Sequence, residues 1–159
     1  MTPRASTGLA ASTISCALLA LLLVPFALHA HDEPVSEDKP FAEAFILLQL
    51  SDQDPIKQDA VLDIANNLIK HYDSPDLVEI EIVAFGPGMR LLLAGNTRET
   101  RISSLVESGV RFVGCMNTID TMERKTGKRP ELNEHTIPVQ TGVAHIVQRT
   151  GEGFTLVRP

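Results

Sequence analysis

A chain of 159 residues, 43% hydrophobic and 21% charged, can enclose one core but not two ordinary domains. Its net charge of −6, with no basic block, argues against a nucleic-acid partner. Aromatic residues make up 4% and Trp is absent, so aliphatic side chains must fill the core.

Residues 1–30, MTPRASTGLAASTISCALLALLLVPFALHA, carry Arg4 and no acid, then an apolar stretch, then a small residue at Ala30. That order predicts a secretory signal peptide cleaved after Ala30. The uninterrupted apolar run, Ala17 to Val24, falls short of the about 20 residues that a membrane span needs, and Pro25 breaks it. A periplasmic or secreted protein without stable membrane insertion is expected. Cys16 precedes the apolar run, so it does not read as a lipid attachment site. Cleavage would leave one cysteine, Cys115, and no internal disulfide. The mature fold must then rest on packing or on oligomerisation.

Residues 31–42 open with HDEPVSEDKP and read as a flexible lead-in, in which His31, Asp32 and Glu33 belong to a solvated tail rather than a metal site. The folded domain is expected over residues 43–159. FILLQLS (Phe45 to Ser51) is long enough for a strand. The apolar spacing from Ile56 to Tyr72 is helical, with Pro55 suited to the first turn and Asp54 to the cap. After the breaker SPD, VEIEIVAFG (Val78 to Gly86) predicts a strand entering a buried sheet. Gly86, Pro87 and Gly88 form a tight loop, and Met89 to Ala94 a short helix or an extension. Thr97 to Gly109 is a helix closed by glycine, and Val110 to Cys115 the third strand. Asn117 to Gly127 is a helix with Asn117 as its cap. KRPELNEHTIP reads as a polar loop, Thr141 to Arg149 as a short helix, and FTLVRP as a final strand. This alternation predicts a parallel sheet with helices on both faces.

Cys115 falls at the carboxyl end of a strand, where parallel α/β sheets gather their chemistry. The helix that follows offers free backbone N–H groups and a partial positive charge, which favour a thiolate. Such a thiolate can attack sulfur, hold a persulfide or respond to an oxidant; the alternative is a small apolar core residue. No His is placed beside it by sequence to serve as a base, and no CxxC supplies a resolving thiol. No Cys/His cluster has zinc spacing, so neither metal nor cofactor is expected. The FGPGMR loop, with Arg90, lies at the same sheet edge, and a pocket of Cys115, Gly86, Pro87, Gly88 and Asn117 is geometrically reasonable.

Three stretches, VEIEIVAFGPGMRLLL, LVESGVRFVGCMNTI and IPVQTGVAHIVQRTGEGFTLVRP, resemble in order and spacing the DsrE/DsrF-like family of small sulfur-relay proteins. The resemblance spans Phe45 to Pro159. It implies a three-layer α/β/α sandwich on a mainly parallel five-stranded sheet, and homo-oligomers, often trimers or hexamers. It also implies a persulfide carried on the cysteine of the C-x-N-T segment, here Cys115, and exchanged with a sulfur donor or acceptor protein. Relay members of the family work in the cytoplasm, and an exported copy departs from that setting. The expected function is a sulfur carrier or thiol-based relay, sulfurtransferase-like if active. The alternative is a non-catalytic oligomeric module that binds a small ligand and keeps a structural cysteine.

Overall fold

The computed structural model describes residues 39–159; the expected signal peptide, Cys16 and the lead-in up to residue 38 lie outside the described residues. In chain order the elements are β1 (Ala44–Leu50), α1 (Pro55–His71), a 3-10 turn (Pro75–Leu77), β2 (Val78–Ala84) and a 3-10 helix (Gly86–Leu92). Then come α2 (Glu99–Glu107), β3 (Arg111–Cys115), α3 (Met116–Thr126), β4 (Thr136–Val139), α4 (Gly142–Gly151) and β5 (Thr155–Val157). The five strands form one sheet in the order β4-β3-β2-β1-β5, and every pairing is parallel.

That order fixes where the helices go. From β1 to β2, β3 and β4 the chain steps the same way across the sheet, so right-handed crossovers put α1, α2 and α3 on one face. From β4 it returns past the whole sheet to β5, which puts α4 on the other. The packing agrees. Val61, Leu62 and Ala65 of α1, Ile102 and Leu105 of α2 and Ile119 of α3 join Ile46, Leu48, Ile80, Ile82 and Phe112 in one core. On the opposite face Phe45, Leu47, Val83 and Val113 meet Ile146 of α4 and Phe154. The result is a three-layer α/β/α fold with unequal outer layers.

Local chemistry explains the boundaries. Asp54 Oδ1 accepts from the Ile56 N–H at 2.9 Å, and Pro55 occupies the first helical position of α1. Gly127, at φ 73°, ends α3 in the left-handed region that glycine tolerates. The 3-10 helix after β2 lies close under β1. A Cβ on Gly88 would run into the Leu50 carbonyl, so that glycine is needed for packing.

Two expectations need correction. The stretch read as a polar loop holds β4, an edge strand that pairs Phe112 to Cys115 with Thr136 to Val139. Pro138 is tolerated because an edge strand has one unpaired side. Asn117 is not the cap of α3. The helix starts at Met116, Cys115 occupies the cap position, and no side chain caps it.

Gly88→Ala is expected to destabilise the fold by about 3 kcal/mol, the upper end of overpacking costs, because backbone rather than a flexible side chain blocks the new methyl group. The shift of the urea midpoint at unchanged slope measures it.

Candidate functional site

The reversal of chain direction creates the site. After β3 the chain leaves toward the face of α1; after its neighbour β4 it leaves toward the opposite face. Between two such strands the connections diverge, and parallel sheets bind ligands in the crevice this opens. Cys115 ends β3 beside Val139 of β4, at the point where the two connections diverge. The helices that start there are α3, directly after the cysteine, and α4, whose first residue is Gly142. A Cβ on Gly142 would lie 3.1 Å from Cys115 Cβ and 3.3 Å from Phe85 Cβ. The bare backbone lets the start of α4 close down on the cysteine.

The thiol is covered. Cys115 is 6% exposed and packs at the edge of the larger core, whereas its place at a strand end predicts an open one. The cover is the segment from Gln140 to Gly142. Cys115 Sγ donates to the Gln140 carbonyl at 3.8 Å, a weak bond. Asn117 holds the same segment at three points. Its backbone N–H donates to the Gln140 carbonyl at 3.1 Å. Its Oδ1 accepts from Gln140 Nε2 at 2.6 Å, and its Nδ2 donates to Thr141 Oγ1 at 2.9 Å. Asn117 therefore fastens the strap over the sulfur instead of capping a helix.

Burial pushes the Cys115 thiol up, but hydrogen bonds to the thiolate win. The Gly142 N–H, the Thr118 hydroxyl and the N–H groups of Thr118 and Asn117 bring it below its ordinary value. Two helix N-termini thus converge on one sulfur.

The other residues of the FGPGMR loop divide. The Gly86 N–H donates to Thr118 Oγ1 at 2.9 Å, which ties that loop to the hydroxyl serving the sulfur, and Gly86 needs its φ of 53° to turn there. Pro87 and Arg90 are exposed, and Gly88 is buried against Leu50. His145 is not brought to the cysteine. Its Nε2 lies 2.7 Å from Oε2 of Glu81, whose partner on β3 is Arg111, at the far end of that strand. Thr118 and Gly142 were not singled out by sequence; the signal available was only their place next to Asn117 and Thr141. Among the described residues no group of three His, Cys, Asp or Glu side chains is arranged to hold a metal ion.

No family model matches the chain, and no curated protein sequence matches it. Among solved structures, a protein of unknown function from Methanobacterium thermoautotrophicum is similar, with 28% identity and a TM-score of 0.65. The match covers 74% of this chain and all of that one. The likeness bears on the fold.

Alkylation of Cys115 in the folded protein should show a midpoint below that of a free thiol. Thr118→Val should slow it about tenfold near neutral pH, the worth of one hydrogen bond to a charged group. Linkage gives the sign for stability: a thiol lowered in the folded state favours folding once the unfolded thiol has also ionised. That gain is lost as pH falls through the folded value. The stability advantage over Cys115→Ser should therefore shrink on acidification, as urea midpoints across pH would measure.

Proposed function

We propose that this chain is an exported member of the DsrE/DsrF-like family that carries sulfane sulfur on Cys115. One observation carries the reading: the sulfur lies at the point where the chain direction reverses, between the N-termini of α3 and α4. Sulfur chemistry needs a thiolate, and backbone N–H groups at such a place favour that form without a histidine base. The Cys115 thiolate attacks the terminal sulfur of a donor persulfide, R–S–SH. A new S–S bond forms on Cys115, the donor S–S bond breaks, and the donor leaves as R–S⁻. Transfer to an acceptor thiolate runs the same exchange in reverse, and no outside oxidant is needed.

The resemblance also supports a homo-oligomer, a trimer or hexamer, with a sulfur donor or acceptor protein as its partner in the periplasm or outside the cell. On the outer side of α4, Val143 and Val147 are 51% and 66% exposed, and Ile137 on β4 is exposed as well. A second copy covering them would remove apolar surface from water. Val147→Glu is expected to shift sedimentation toward the monomer.

The 6% exposure of Cys115 favours the competing reading, a binding module with a structural cysteine. Intact mass after treatment with a polysulfide donor separates the two. A sulfur carrier gains one sulfur atom, and Cys115→Ser gains none. No adduct, under conditions that load a small-molecule thiol, overturns the sulfur reading.

A further inference from the structure

α4 meets the sheet through few buried apolar side chains and a set of polar and ionic contacts. Of its residues only Gly142 and Ile146 are buried, while Val143 and Val147 face outward. One aliphatic side chain is a weak anchor for three turns of helix. Beneath the helix, β2 turns Glu79 and Glu81 toward this face, 2% and 0% exposed. Arg149 Nη2 lies 2.9 Å from Glu79 Oε1 and 3.0 Å from Glu81 Oε1. His145 Nε2 lies 2.7 Å from Glu81 Oε2. Arg111 of β3 approaches Glu81 at 3.6 Å, and Glu152 meets the outer side of Arg149 at 2.6 Å. Arg149 also lies over the Phe154 ring, 3.9 Å from its centroid. Glu79 Oε2 and Arg149 Nε are buried without a hydrogen-bond partner in this arrangement.

The same rigid helix begins at the cysteine. Gly142 is one turn before His145 and two turns before Arg149. A helix that moves away from Glu81 as one rigid body carries Gly142, and with it the Gln140 to Gly142 strap, away from the sulfur. We propose that Glu79, Glu81, His145 and Arg149 form a clasp that sets the position of α4 and so regulates access to Cys115. The inference rests on the sulfur-carrier reading for its biological sense, not for its geometry. His145 and Arg149 are positioning residues: neither reaches the sulfur, and both act through the helix. Closed, the clasp keeps the Gly142 N–H against Cys115 and the strap over it. Open, it exposes the thiol to a donor or acceptor protein.

His145→Leu, made in the purified protein, tests the clasp with two readouts. Amide hydrogen exchange across the first turns of α4 should rise about tenfold or more, as a loosened unit opens without global unfolding. Alkylation of Cys115 by iodoacetamide across pH should change in two ways: its midpoint moves up, as the Gly142 N–H withdraws, and its alkaline plateau rises, as the cover lifts. A merely structural residue would lower the melting temperature and speed exchange, but would leave the midpoint and plateau of Cys115 alkylation where they are. His145→Gln, which can still donate to Glu81, should restore both readouts, and Lys125→Ala on the exposed side of α3 should match the unmodified protein. If His145→Leu does not fold, Arg149→Lys, which keeps the charge but loses the planar fork, is read in the same way. A folded variant with an unaltered Cys115 profile overturns the clasp. Failure of the sulfur reading looks different: the unmodified protein then takes up no sulfur, or Cys115 titrates as an ordinary thiol, while the change in the alkylation profile between variant and unmodified protein still decides the clasp.

Discussion

Right-handed crossover is the constraint on which the site depends. Three successive steps in one direction place α1, α2 and α3 on one face of the sheet, and a single return places α4 on the other. The two connections that diverge at this reversal follow β3 and β4, which are paired neighbours. Each connection begins a helix almost at once, α3 at Met116 and α4 at Gly142. Backbone N–H groups with no partner inside a helix are concentrated at such starts, so two sets of them face one crevice. A cysteine at the end of β3 meets both. Its lowered thiol value follows from backbone N–H groups that the topology gathers and from the Thr118 hydroxyl, with no cationic side chain among the causes.

The same reversal leaves the second face thinly covered, and the chain answers with charge. Glu79 and Glu81 are taken out of water at high cost, and their partners on α4, His145 and Arg149, lie more than sixty positions away along the chain. Aliphatic residues at these positions would hold α4 at least as well by area alone. An ion pair differs in being directional. Removing one cation strands a buried carboxylate, which costs about 3–5 kcal/mol. It therefore penalises a slide or rotation of α4 that apolar packing would tolerate. A helix whose first residue must stay within contact of Cys115 benefits from that directional restraint.

Much of the fold was legible because its signals are local. The runs at β1 and β2, the periodicity of α1 with Asp54 and Pro55 at its start, and the glycines after α2 and α3 each state their element within a few residues. β4 was not legible. It is four residues long, contains Pro138, and follows a charged stretch. Only its pairing with β3 makes it a strand, and pairing is not written locally. Cys115 was found because it ends a clear strand. The strap was not, since Asn117 looks like a cap in sequence and becomes a fastener only when β4 brings Gln140 and Thr141 beside it. Nor was the clasp. The stretch holding Glu79 and Glu81 reads as a strand entering a buried sheet, but nothing near β2 announces His145 and Arg149 as the partners of its carboxylates.

Burial of the thiol and its proposed chemistry are reconciled by the size of the product. A persulfide places a second sulfur about 2 Å beyond Sγ. The Gln140 oxygen lies 3.8 Å from Sγ, so a sulfur added in that direction would stop well inside contact distance of it. Nearby, a Cβ at Gly142 would already be tight against Cys115 and Phe85. The closed arrangement therefore fits the unloaded sulfur and leaves little room for a second one toward the strap. A sulfur that arrives this way must displace the Gln140 to Gly142 segment and strain the bonds from Asn117 and the anchors of α4. Loading and opening are then two sides of one equilibrium: what holds the strap down disfavours the persulfide, and what lifts it favours both entry and exchange.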